Sequence, residues 1–163
     1  MEIESTLSDS LDEELKVQYK DIDSISELEE RSVSGVHAYC FLKDKLVIVY
    51  TAKTKSWTPP GGGVEVNEAV EEAVIREVQE ETNMRVIKQS LLGFQDIFKA
   101  SGVVTQTRSV CIVEPIGEFI SDPDEDITEI KLIDPQEYKE YFDWGIIGDH
   151  LMKRAIALRA GLE

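Results

Sequence analysis

Apolar positions alternate in short runs through most of this chain and switch to a helical period in two places. Gly35 to Leu42, rich in β-branched and aromatic residues, predicts a strand. Lys43-Asp44 predicts a two-residue turn, and Leu46 to Thr51 the returning strand. Lys53 to Ser56 is polar loop. Trp57-Thr58-Pro59-Pro60-Gly61-Gly62-Gly63 is a dense cluster of backbone punctuation. Asn67 predicts a helix N-cap and Glu68 the first turn of a helix reaching Thr82. Arg85 to Phe98 and Val103 to Pro115 predict two strands joined near Ser101-Gly102, and Ile127 to Ile133 alternates like a half-buried strand. Pro135 starts a short helix and Gly148 to Leu158 a longer one, with Leu151, Ala155, Ile156 and Leu158 apolar. The sum is a mixed α/β domain with hairpin-connected strands, one helix early and one at the end.

At 163 residues the chain is the size of one domain, and its 42% hydrophobic content suffices for a core. Charge is uneven. Residues 1–30 hold eleven acids and two bases, against twenty-two acids and fifteen bases in residues 31–163. The first thirty therefore read as an acidic, partly ordered lead-in, with either a strand at Leu15 to Tyr19 or a helix at Ile25 to Arg31 docking on the domain formed by 31–163. The net charge of −16 argues against nucleic-acid binding and against an anionic membrane surface. A phosphate substrate stays compatible where a cation inverts the local field. Cys40 and Cys111 each lie in an apolar run and read as reduced, buried thiols. No apolar run reaches the ~18 residues of a membrane span. MEIESTLSDS has neither a basic nor an apolar leader region, so a cytoplasmic protein is expected.

The helix after the glycines carries the chemistry. On a wheel of about 100° per residue, Val70, Ala73, Val74 and Val78 form the buried arc, and Glu77 and Glu81 fall inside it. Glu80 lies on its edge, Glu71 and Glu72 fit a solvated face, and Arg76 points to the solvent side. Like charges four residues apart repel, and half-buried carboxylates are costly without partners. With no cation in an obvious position, a hard divalent ion resolves the conflict; a solvated face or a buried network is the competing reading. Gly61, Gly62 and Gly63 let backbone approach a ligand, and their amides are suited to face an anion near the helix start.

These residues resemble the signature of the Nudix hydrolase family: Gly, five residues, Glu, seven residues, Arg-Glu, an aliphatic residue, any residue, Glu-Glu, any residue, Gly and an aliphatic residue. Gly62, Glu68, Arg76-Glu77, Val78, Glu80-Glu81 and Met84 match it across 23 residues. Asn83 stands where the family usually has Gly, a position that ends the helix, and Asn is the next-best residue for a left-handed helix end.

The resemblance implies an α/β/α sandwich with a mixed sheet between helices, and hydrolysis of the diphosphate linkage in a nucleoside diphosphate derivative. It implies Glu77, Glu80 and Glu81 as ligands of Mg²⁺, with Mn²⁺ as the alternative ion, and one carboxylate acting as base through water. Glu80 and Glu81 are the catalytic candidates, with Arg76 and Glu68 as an ionic brace. Gly61, Gly62 and Trp57 are the substrate-binding candidates, though core packing competes for Trp57, Phe94 and Phe98. Asp122, Asp124, Glu125 and Asp126 are candidates for a further acid, or simply a solvated loop. Family subgroups are sometimes marked by a Pro or Tyr some 15–18 residues after the box, and Lys99-Ala100-Ser101-Gly102 has neither. Lys53, Lys55, Lys99 and Arg108 are the bases near the expected pocket loops, which favours a nucleoside triphosphate over ADP-ribose or a sugar nucleotide. A non-catalytic nucleotide sensor is the competing class. The expected partner is a small nucleotide, with a homodimer left open.

Overall fold

The structure is a computed structural model that describes residues 1–8, 13–120 and 126–163. Nine strands, β1 (Glu2–Ser8), β2 (Glu14–Asp21), β3 (Val33–Leu42), β4 (Lys45–Thr51), β5 (Ser56–Thr58), β6 (Gly61–Gly63), β7 (Met84–Lys99), β8 (Gly102–Pro115) and β9 (Ile127–Ile133), form one sheet among the described residues. Helix α1 (Val70–Thr82) follows β6, and α2 (Gly145–Leu162) ends the chain. The main path runs β1-β2-β7-β8-β3-β4-β5, with β6 pairing β3 and β9 pairing β4. Every pair is antiparallel except β3–β8, so the sheet is mixed.

Strand alternation sorts the core into two layers. Val36, Ala38 and Cys40 of β3 pack with Ala73, Val74 and Val78 of α1. Tyr39 and Phe41 point to the opposite face, where they join Leu151, Met152 and Ala155 of α2. The result is the expected α/β/α sandwich. Cys40 and Cys111 are direct Cα partners on the α1 face, both free thiols and fully buried.

The first thirty residues differ from a solvated lead-in. β1 and β2 form a hairpin whose second strand pairs β7 from Lys16 to Asp21, and Ile25–Leu28 forms a single 3-10 turn. Strand and helical turn are thus both present rather than alternatives. Val17, Tyr19, Ile22 and Leu28 are buried, so apolar alternation outweighs the acidic composition. Helix α2 is tied to this segment: His150 Nε2 lies 2.9 Å from an Asp21 oxygen, and Arg154 donates to Ile22 O at 3.2 Å and to Asp23 at 3.0 Å. No helix among the described residues is long and apolar enough to cross a membrane.

Candidate active site

The sequence places the start of α1 two residues too early, at Glu68 rather than Val70. Asn67 does not cap it; its φ is 62°, and the helix begins at Val70 after Ala69. Glu72 returns to accept the Ala69 N–H at 3.0 Å, half of a capping box. The reason is Glu68, which serves the loop instead of the first turn. Its Oε1 accepts the Glu65 N–H at 3.0 Å, and its two oxygens take Arg76 Nε at 2.7 Å and Nη2 at 2.9 Å. This bidentate pair is the brace the resemblance implies. It holds the Glu68 carboxyl down at about 2, first through Arg76 and then through the Glu65 amide, and pushes the Arg76 guanidinium up.

Arg76 corrects the reading of three acids without a cation. Its guanidinium curls back over the helix, with Nη1 donating to Glu77 at 2.9 Å and to Glu80 at 3.3 Å, and Nη2 donating to Gly63 O at 2.8 Å. A wheel gives the direction of Cβ, and a long side chain reaches well beyond it. Glu81 is 8% exposed, as its place on the buried arc requires, and accepts the Gly61 N–H at 2.7 Å.

The glycines also differ from expectation. Gly61–Gly63 is a strand paired with β3, and the Gly61 amide serves Glu81 rather than an open anion site. What these glycines provide is space. A Cβ on Gly62 would sit 2.4–2.6 Å from the Glu77 carboxylate, and one on Gly61 would sit 2.2 Å from Val36 O. The strand can lie against the carboxylate turn only without side chains.

Glu77 and Glu81 thus meet β6, and Arg76 gathers Glu80 beside Glu77. Among the described residues no three acids, histidines or cysteines converge on a single point. The donor set nevertheless suits a hard divalent cation: carboxylate oxygens, with a glycine strand leaving Glu77 room.

Other candidates lie elsewhere. Trp57 packs edge-on against Tyr50 and Tyr141, with Lys131 over its ring, and belongs to the α2-side core. Phe94 is buried with Ile22 and Leu28. Asp122, Asp124 and Glu125 lie outside the described residues. Asp126 spends a carboxylate oxygen on the Lys53 N–H at 3.1 Å. Lys53 and Lys55 stand exposed in the turn between β4 and β5, and Lys99 ends β7 at its hairpin with β8. Arg108 is inside the protein, 3% exposed. The four bases therefore do not assemble a phosphate clamp. Sequence reasoning missed the position of Arg108 because β8 reads as a strand without revealing which face each residue takes.

Arg108 is the Cα partner of His37, which in turn is the Cα partner of Gly61. His37 is buried and neutral, held down at about 3 by its burial and then by the Arg108 charge. Its ring meets Trp144 edge-on at 5.3 Å. Tyr138 meets Phe142 and Phe142 meets Trp144 at a tilt, and this aromatic row packs on the core that α2 joins.

The model of the NUDIX domain matches residues 31–154. No curated protein matches the sequence. Among solved structures, the Bacillus subtilis pyrophosphohydrolase BsRppH is similar at a TM-score of 0.73 and 20% identity, with 98% of this chain and 99% of that one covered. A MutT NUDIX hydrolase from Burkholderia pseudomallei is similar at 0.55 and 18%, over 76% and 98%. A C. elegans Ap4A hydrolase is similar at 0.55 and 18%, over 78% and 99%. With the signature helix, its arginine brace and the sandwich around them, the chain belongs to the Nudix hydrolase family.

Proposed function

We propose that the chain is a magnesium-dependent pyrophosphohydrolase that cleaves the diphosphate linkage of a nucleoside diphosphate derivative. The observation that carries this reading is the turn holding Glu77 and Glu81 against β6 with Glu80 beside Glu77, fixed by the Arg76–Glu68 pair. A sensor has no need of three carboxylates on one helical turn.

Glu77, Glu80 and Glu81 would hold the divalent ion, magnesium or manganese. Such an ion, when bound, offsets the charge of the diphosphate and lowers the pKa of a coordinated water. Arg76 keeps the turn in register by gripping both Glu68 and the Gly63 carbonyl. Glu80 or Glu81 serves as the base that takes the proton of the attacking water. Gly61 and Gly62 form the wall against which the carboxylates and substrate meet.

The test is the release of phosphate, pyrophosphate or nucleoside monophosphate from a panel of nucleoside triphosphates, sugar nucleotides, ADP-ribose and dinucleoside polyphosphates with Mg²⁺. Turnover of at least one member, lost on chelation, is expected. Binding without turnover of any member would instead make the chain a sensor.

A further inference from the structure

The two ends of the strand order are built differently. At one end, β5 is three residues long, with Lys53 and Lys55 in the turn before it and Pro59-Pro60 after it. Short strands, lysines and prolines are the usual protection of a sheet edge. At the other end, β1 runs for seven residues with no lysine or proline, and it pairs β2 without a register shift. Only β2 pairs with it among the described residues. One bond gives the direction of its backbone groups. The Asp21 N–H donates to the Met1 carbonyl at 3.0 Å, and these two residues continue the β1–β2 register. Bonded and non-bonded pairs alternate along an antiparallel ladder. Ile3, Ser5 and Leu7 therefore turn their amides and carbonyls toward β2, while Glu2, Glu4, Thr6 and Ser8 turn theirs outward.

The side chains narrow what can add to this edge. Ile3 and Leu7 pack on the α2-side core, and Glu2, Glu4, Thr6 and Ser8 lie exposed on the other face. A second β1, antiparallel and centred on Ser5, sets Ile3 against Leu7, Glu4 against Thr6 and Glu2 against Ser8, each pair twice by symmetry. The outward-turned residues then face one another and exchange backbone bonds. Ile3 and Leu7 fall in the non-bonded pairs, where side chains approach more closely. No acid opposes an acid. A slip of two residues one way brings Glu4 against Glu4; the other way leaves Ile3 without a partner and sets Leu7 against Ser5. The Glu4 carboxylate is also held within its own hairpin, by Gln18 Nε2 at 2.8 Å and Lys16 Nζ at 3.8 Å. The edge is thus complementary to itself in charge and in apolar side chains.

We propose that β1 is an interaction surface for a second copy of this chain, paired antiparallel about Ser5 so that the two sheets become one. Seven residues a side, against the ~20–30 of a standard interface, make a weak dimer that dissociates at roughly 10–100 μM. The surface is independent of the carboxylate turn and does not rest on the reading of its chemistry.

The test is sedimentation velocity of the whole chain from about 1 μM to about 1 mM, a range that brackets the expected dissociation constant. The mass should rise from 18.4 kDa toward twice that value. Thr6→Pro removes an outward N–H and leaves the bonds to β2 in place, so it should stay monomeric throughout. Two further variants read the register without a backbone change. Thr6 lies against Lys16 in its own hairpin and would lie against Glu4 of the second copy. Thr6→Glu should weaken the dimer and Thr6→Lys should tighten it, each by about 3-fold or more because the pair occurs twice. Melting of the monomer, where Lys16 is the neighbour, should move in the opposite sense for both. A parent chain that remains monomeric at about 1 mM overturns the proposal. A dimer that keeps its affinity in Thr6→Pro places the interface elsewhere and also overturns it. So do Thr6→Glu and Thr6→Lys dimers that shift the same way or not at all.

Discussion

The Glu81 carboxylate accepts the Gly61 N–H at 2.7 Å, joining the last turn of α1 to a strand twenty positions earlier. This one bond couples the fold to the proposed chemistry, because the same carboxylate belongs to the turn proposed to hold the metal ion. Its two duties separate by substitution. Glu81→Gln keeps an acceptor oxygen and loses the charge. Turnover should fall by at least ~10²-fold, as for a lost base or ligand, with the melting temperature nearly unchanged. Glu81→Ala loses both, leaving the Gly61 amide without this partner at a cost of about 1–3 kcal/mol. Equal melting temperatures for the two variants would show that the bond holds nothing together.

The two glycines of β6 should respond differently to the same change. A Cβ on Gly62 meets the end of the Glu77 side chain, which can swing away; a Cβ on Gly61 meets the Val36 carbonyl, which cannot. Gly62→Ala should therefore fold normally and lose metal-dependent turnover, since Glu77 is displaced from the turn. Gly61→Ala should lose about 1–3 kcal/mol of stability from overpacking, read in a denaturant melt. Full turnover in Gly62→Ala at saturating magnesium would contradict this placing of Glu77.

The helical wheel was sufficient to put Glu81 inside, and apolar alternation with local punctuation was sufficient to place β3, β4, β7 and β8. Three features were not legible for physical reasons. Arg76 reads as solvent-facing because a wheel gives only the direction of Cβ and omits the reach of a long side chain. Asn67 carries a strong N-cap signal, but the Glu68–Arg76 pair holds Glu68 out of the helix, and tertiary contact decides. β1, Glu2–Ser8, hides its alternation under acids, and only pairing with β2 and packing of Ile3 and Leu7 on the α2-side core reveal it.

Acid should dissolve the brace within a definite window. Glu68 has its folded pKa depressed to about 2 from 4.5, by Arg76 first and the Glu65 amide second. Its stabilising effect is therefore complete above about pH 4.5 and is lost as pH falls through about 2. Melting temperatures of the parent and of Glu68→Gln should differ at pH 7 and converge as pH approaches 2. A gap that stays constant from pH 7 to 2 would mean the pair does not set the Glu68 ionisation.

Asn83, the one departure from the family signature, ends α1 with φ 54° and ψ 38°, the left-handed conformation that Gly takes without strain. The side chain also does something Gly cannot: Nδ2 donates to Glu118 O at 2.8 Å, while the backbone carbonyl accepts the Ile116 N–H at 2.9 Å. In Asn83→Gly the relieved backbone, ~1 kcal/mol, and the lost exposed hydrogen bond, about 0.5–1.5 kcal/mol, oppose one another. Stability should change by less than about 1 kcal/mol. Turnover should stay within a few-fold, because the hydrogen bonds Asn83 makes go to the 116–118 segment and to Gln79 O rather than to Glu77, Glu80 or Glu81. Asn83→Ala loses the hydrogen bond and keeps the strained φ, so it should be the least stable of the three. Thermal melts that rank Gly with Ala, both well below Asn, would show that the amide bond to Glu118 dominates and that the backbone conformation contributes little.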